Sequence, residues 1–133
     1  MNSKQLLVCN IAIVPSDALT QKALMTSDYL QKYDEALFVL GAKTNVPHCS
    51  LYMLQLKQAD INKASGLLGQ VAKITAVQQL SATMYMQNAG YIDISYDCSA
   101  SLRQLQNRVL QAINPIARAC ALRMLCGCNR PAA

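Results

Sequence analysis

The sequence predicts an α+β fold in which an antiparallel sheet carries helices on one face. Three observations predict it. Short apolar, β-branched runs are interleaved with longer segments whose apolar residues recur every three to four positions. A turn signal, Gln87-Asn88-Ala89-Gly90, separates two strand-like runs. The composition, 53% hydrophobic and 14% charged, is that of a chain that buries a core. At 133 residues one domain is expected, long enough to do so without metal or disulfide staples. With no Trp and one Phe, that core must come from Leu, Ile, Val, Ala and Met, with Tyr at its margins.

Leu6 to Val14 reads as a buried first strand, interrupted only by Asn10. Lys4 ahead of it would also suit a short signal-peptide core, but Pro15-Ser16-Asp17 reads better as a turn into a helix. The run is far below the ~20 residues of a membrane-spanning helix, so no membrane partner is expected. Ser16 or Asp17 caps the helix, whose face is Leu19, Ala23, Thr26, Leu30 and Tyr33. Asp34-Glu35 ends it, and Ala36 to Leu40 is a short apolar run. Pro47 then holds Val46 extended before a second strand running to about Leu56.

Asp60 is expected to cap the second helix, with Ile61, Ala64, Leu68 and Val71 as its stripe. Gly66 and Gly69 either weaken that helix or let it pack closely. Ile74 to Met86 reads as a strand with an irregular start. Tyr91 to Tyr96 is its hairpin partner, with Ile92 and Ile94 on one face and Tyr91, Asp93 and Ser95 on the other. Ser99 caps a third helix with the stripe Leu102, Leu105, Val109 and Ile113, which Asn114-Pro115 ends. We divide the chain at that point, into 1–115 and an Arg-, Cys- and Ala-rich tail, 116–133. The tail shows no strand-like run.

The net charge of +5 lies wholly in the last third. Lysines and acids cancel up to residue 100. Arg103, Arg108, Arg118, Arg123 and Arg130 then follow without an acid. Such a patch attracts nucleic acid or forms a solvated helix face. The six cysteines are Cys9, Cys49, Cys98, Cys120, Cys126 and Cys128. Their scatter suits thiols in a reducing compartment, the cytoplasm, better than a disulfide framework. Cys120-x5-Cys126-x-Cys128 has no fourth ligand nearby for zinc.

The stretch Pro47-His48-Cys49-Ser50-Leu51-Tyr52 holds the only histidine in the chain. On an extended strand His48, Ser50 and Tyr52 would share one face, and Cys49, Leu51 and Met53 the other. An imidazole beside a hydroxyl can hold a phosphate and move a proton, since the unperturbed imidazole titrates near physiological pH. A histidine at a strand start can equally be a plain surface residue.

That stretch, with the opening strand and the helix, hairpin and helix after it, resembles the two-histidine (2H) phosphoesterase superfamily, in particular its 2′-5′ RNA ligase-like members. The resemblance covers roughly residues 5–115. It rests on Pro47-His48-Cys49-Ser50-Leu51-Tyr52, similar to the family's first His-x-Ser/Thr motif. It implies two similar lobes around a cleft, each giving one His and one Ser or Thr. The substrates it implies are RNA ends or nucleotides with 2′,3′-cyclic or 2′-5′ phosphodiesters, cleaved or joined without metal or other cofactor. One imidazole would serve as base and the other as acid. Carried over, His48 is an acid/base group and Ser50 a hydrogen-bond donor to phosphate. Tyr52 would stack a base or, as a strand tyrosine commonly does, simply pack, and Arg103 and Arg108 of the basic patch would bind substrate.

The second His-x-Ser/Thr should follow the third helix, and residues 116–133 hold no histidine. Asp93-Ile94-Ser95 has the spacing, but with Asp for His and ahead of that helix. The chain therefore reads as an incomplete two-lobed fold: the first lobe and part of the second. Three outcomes stay open. It is a phosphoesterase, with two chains of a homo-oligomer each giving a histidine or with another residue in that place. It is a non-catalytic RNA or nucleotide binder. Or it is a truncated product without activity.

Overall fold

The computed structural model describes residues 5–36, 39–88 and 91–122. The chain is α+β, with the element order β1 (Leu6–Ile13), α1 (Asp17–Leu30), β2 (Cys49–Lys57), α2 (Ile61–Lys73), β3 (Ala82–Asn88), β4 (Tyr91–Tyr96), α3 (Ala100–Ile113) and β5 (Ala119–Leu122). A 3-10 turn, Gln58–Asp60, joins β2 to α2. The expected single sheet is two: a three-stranded sheet in the order β1-β2-β5 and the hairpin β3-β4. The chain also divides into two compact units, Ala12–Cys49 and the remainder, Met1–Ile11 with Ser50–Ala133.

In the larger unit β2 is the central strand. Gln58 N–H donates to the Gln5 carbonyl at 3.0 Å and Asn10 meets Ser50, so β1 and β2 run antiparallel. On its other side β2 pairs antiparallel with β5, Leu54 opposite Cys120, with an irregular register between Met53 and Leu54. Strand β5 corrects the expectation of a tail without strands. Ile116 ahead of it is buried, and the Arg118 N–H reaches the Gln55 carbonyl at 2.9 Å. Residues 123–133 lie outside the described residues.

Helix α3 is built as its sequence predicts. Ser99 Oγ accepts from the Leu102 N–H at 3.1 Å, capping the first turn. Leu102, Leu105, Val109 and Ile113 are all buried. The helix ends at Ile113, with Asn114 as its C-cap just ahead of Pro115. Burying a side chain such as Leu54, Leu102 or Ile113 contributes about 1.5–3 kcal/mol, and these three are at most 2% exposed. Gln106 is buried too, and its Nε2 donates to the Leu51 carbonyl at 2.9 Å, fastening α3 to β2. Among the described residues no buried side-chain polar atom lacks a partner.

Helix α2 keeps Ala64 and Val71 buried. Asp60 stands at its N-cap without capping through its side chain, because the 3-10 turn already gives it helical backbone angles. No atom lies within 4 Å of a Cβ built on Gly66 or Gly69, so neither glycine serves close packing. Ile74 to Ser81 is irregular and the strand starts only at Ala82. In β4 Ser95 is buried, while Ile92 on the other face is 56% exposed. Ser95 is accommodated by a bond from its Oγ to the Met86 sulfur across the hairpin. The turn expected at Gln87–Gly90 is corrected at Gln87 and Asn88, which belong to β3, and 89–90 lie outside the described residues.

In the smaller unit α1 is capped by Ser16, whose Oγ accepts from the Leu19 N–H at 3.4 Å. It buries no residue, so the expected apolar stripe is a partly covered face at Leu19 and Ala23 and an exposed one at Leu30 and Tyr33. After it, Leu40 N–H bonds Ser27 Oγ. Of the apolar run Ala36 to Leu40, residues 37–38 lie outside the described residues. Asn45 takes a left-handed φ of 52°, which asparagine tolerates, and its Nδ2 donates to the Val39 carbonyl. Among the described residues no helix is long and apolar enough to cross a membrane.

Candidate functional site

His48 lies just outside β2, which begins at Cys49. Pro47 before it is buried, and the imidazole itself is exposed. Its Nδ1 sits 2.7 Å from the Val46 carbonyl oxygen. A carbonyl only accepts, so Nδ1 carries the proton, and in the neutral ring Nε2 carries the lone pair. In that tautomer Nε2 is the basic nitrogen of the ring, the one that acts in general acid–base chemistry.

Ser50 lies on β2 and is half-buried. Its Oγ accepts a 2.8 Å hydrogen bond from Asn10 Nδ2 on β1. Burial along β2 does not alternate strictly. Cys49 and Leu51 are buried, and then Tyr52, Leu54 and Leu56. The parity changes between Leu51 and Tyr52, next to the irregular register at Met53 and Leu54. Ser50, Met53, Gln55 and Lys57 are left as the less covered set. The expectation that His48, Ser50 and Tyr52 share one open strand face is therefore corrected. His48 is not in the strand, and Tyr52 belongs to the core.

Tyr52 is 1% exposed, and its O–H donates to Asn114 Oδ1 at 2.9 Å. A ring enclosed in that way has no face for a nucleobase, so its assignment to substrate binding is withdrawn. The two arginines go to different places. Arg108 is half-buried, and its Nη1 donates to the Ile74 carbonyl at 3.2 Å, satisfying backbone at the end of α2. That is an anchoring bond. Arg103 is exposed and lines an open cleft of ≈ 920 Å³ beside the hairpin, together with Ser81, Thr83, Asp97 and Ser99. Ser50 is not part of that cleft.

Asn10 is the residue that sequence reasoning missed. Its signal was present as the one polar interruption of an apolar strand, but its partner is set by strand pairing across 40 residues of sequence.

The cysteines differ from expectation at one position. Cys9 and Cys49 take part in no disulfide, whereas Cys98 is disulfide-bonded. A disulfide belongs to an oxidising compartment, so Cys98 gives no support to the reading of six scattered thiols in a reducing one. Among the described residues no cluster of three His, Cys, Asp or Glu side chains could hold a metal.

No family model, no curated protein and no solved structure matches this chain.

Proposed function

We propose that this chain is a phosphodiesterase or RNA end-processing protein of the 2H phosphoesterase, 2′-5′ RNA ligase-like type, acting on 2′,3′-cyclic or 2′-5′ phosphodiesters. The observation that carries the reading is the exposed His48 ring, tied by Nδ1 to the Val46 carbonyl so that Nε2 is the acid/base atom. In this reading Nε2 takes the proton of the attacking water or hydroxyl. The Ser50 hydroxyl donates to a phosphate oxygen, which gains charge as the bond to phosphorus forms. The exposed arginines Arg103 and Arg118 add attraction for the polyanion.

The family's chemistry uses two imidazoles and this chain has one. The proton for the leaving oxygen then comes from a second copy contributing its own His48. The single histidine also favours a second reading, a protein of the same kind that binds RNA ends or nucleotides without turning them over.

Turnover of a 2′,3′-cyclic nucleotide by the wild type and by His48→Ala separates these. The first reading expects a rate proportional to a power of protein concentration above one and a loss of about a hundredfold or more in His48→Ala. Equal rates in the two proteins remove His48 from any mechanism. Binding without turnover selects the second reading.

A further inference from the structure

We infer that Asn10 is a positioning residue that sets Ser50 as a hydrogen-bond donor to a phosphate oxygen. The inference rests on the phosphodiester reading above and adds a residue to it. A serine hydroxyl has one proton to give and two lone pairs to receive with. Asn10 Nδ2 donates into Ser50 Oγ at 2.8 Å and so occupies a lone pair. The hydroxyl proton is then left for another acceptor. A carboxylate or carbonyl in the place of that amide N–H would have claimed the proton instead.

Phosphodiester oxygens only accept, so a serine prepared in this way matches them. A donor pointing into a hydroxyl also polarises it and strengthens the bond that the hydroxyl gives in turn.

The placement argues that the contact is not there for stability. Asn10 is exposed, on the side of β1 where Leu6 and Val8 are 49% and 67% exposed. A hydrogen bond between groups that water can reach contributes little to folding. The pairing of β1 with β2 nevertheless brings the one polar side chain of β1 onto the hydroxyl of the His-x-Ser motif.

A double-mutant cycle with adenosine 2′-monophosphate as the probe, read by calorimetry, tests this. The proteins are wild type, Ser50→Ala, Asn10→Ala and the double variant, with thermal unfolding as the control for folding. Ser50→Ala is expected to weaken binding about tenfold, the loss of one hydrogen bond to a charged group. Asn10→Ala is expected to weaken it about threefold, and the double variant no more than Ser50→Ala alone. A purely structural role for Asn10 would multiply its effect onto that of Ser50→Ala. Asn10→Ala binding like the wild type, or losses that multiply, overturns the inference and leaves the phosphodiester reading standing. Wild type that does not bind the nucleotide, or Ser50→Ala that binds it equally well, overturns the reading and the inference with it.

Discussion

Tyr52 on β2 and Asn114 at the end of α3 are joined by a 2.9 Å hydrogen bond from the phenol to the amide oxygen. The ring is 1% exposed while Asn114 is exposed, so the part-buried bond ties the central strand to the surface end of α3. Tyr52→Phe keeps the ring and removes the bond. We expect it to destabilise the protein by about 1 kcal/mol in chemical denaturation, with no change in affinity for a nucleotide. A loss of affinity at unchanged stability would return Tyr52 to the site.

Gly66 and Gly69 stand in the interior of α2, both exposed, with open space where a Cβ would be. Glycine in a helix interior is less favourable than alanine by about 0.5–1 kcal/mol. Gly66→Ala and Gly69→Ala should therefore each raise the denaturation midpoint, and together by roughly the sum. Midpoints that fall would mean that something packs against this face.

Tyr33 donates its phenolic proton to Tyr29 at 2.9 Å, with the two ring centroids 4.9 Å apart. This bond, with a smaller contribution from desolvation, holds the Tyr33 phenol above the ordinary tyrosine value of about 10. A phenol with a raised folded-state pKa contributes its stabilisation below the unfolded value. That contribution is lost as the pH climbs from about 10 through the folded value. In an NMR pH titration Tyr33 should ionise above an unperturbed tyrosine, and Tyr29→Phe should bring it down. The same titration midpoint in both proteins would contradict the bond.

The hairpin was legible only as a pair of strands, its first strand starting at Ala82 and taking in Gln87 and Asn88. The third helix was legible because its signals are local. Ser99, the Leu102–Ile113 stripe and Pro115 start, face and stop α3 within one stretch of chain. Strand β5 was not legible. Four residues are too few for a period, and Ala119–Leu122 becomes a strand because β2 offers an edge to it. At the site, His48 and Ser50 were readable as a motif. The company they keep was not: Asn10 reaches Ser50 through strand pairing, and Tyr52 turns inward where the alternation along β2 changes parity. Arg103 and Arg108 shared a charge run in the sequence, yet one lines a cleft and the other binds a carbonyl.

The most direct measurement uses the fact that the chain has a single histidine. Long-range proton–nitrogen NMR of the imidazole assigns both ring nitrogens without mutagenesis. The neutral ring should carry its proton on Nδ1, held by the Val46 carbonyl, and the Nε2 resonance should move as adenosine 2′-monophosphate is added. A ring protonated on Nε2, with neither nitrogen responding to saturating nucleotide, would contradict the claim that His48 meets the phosphodiester.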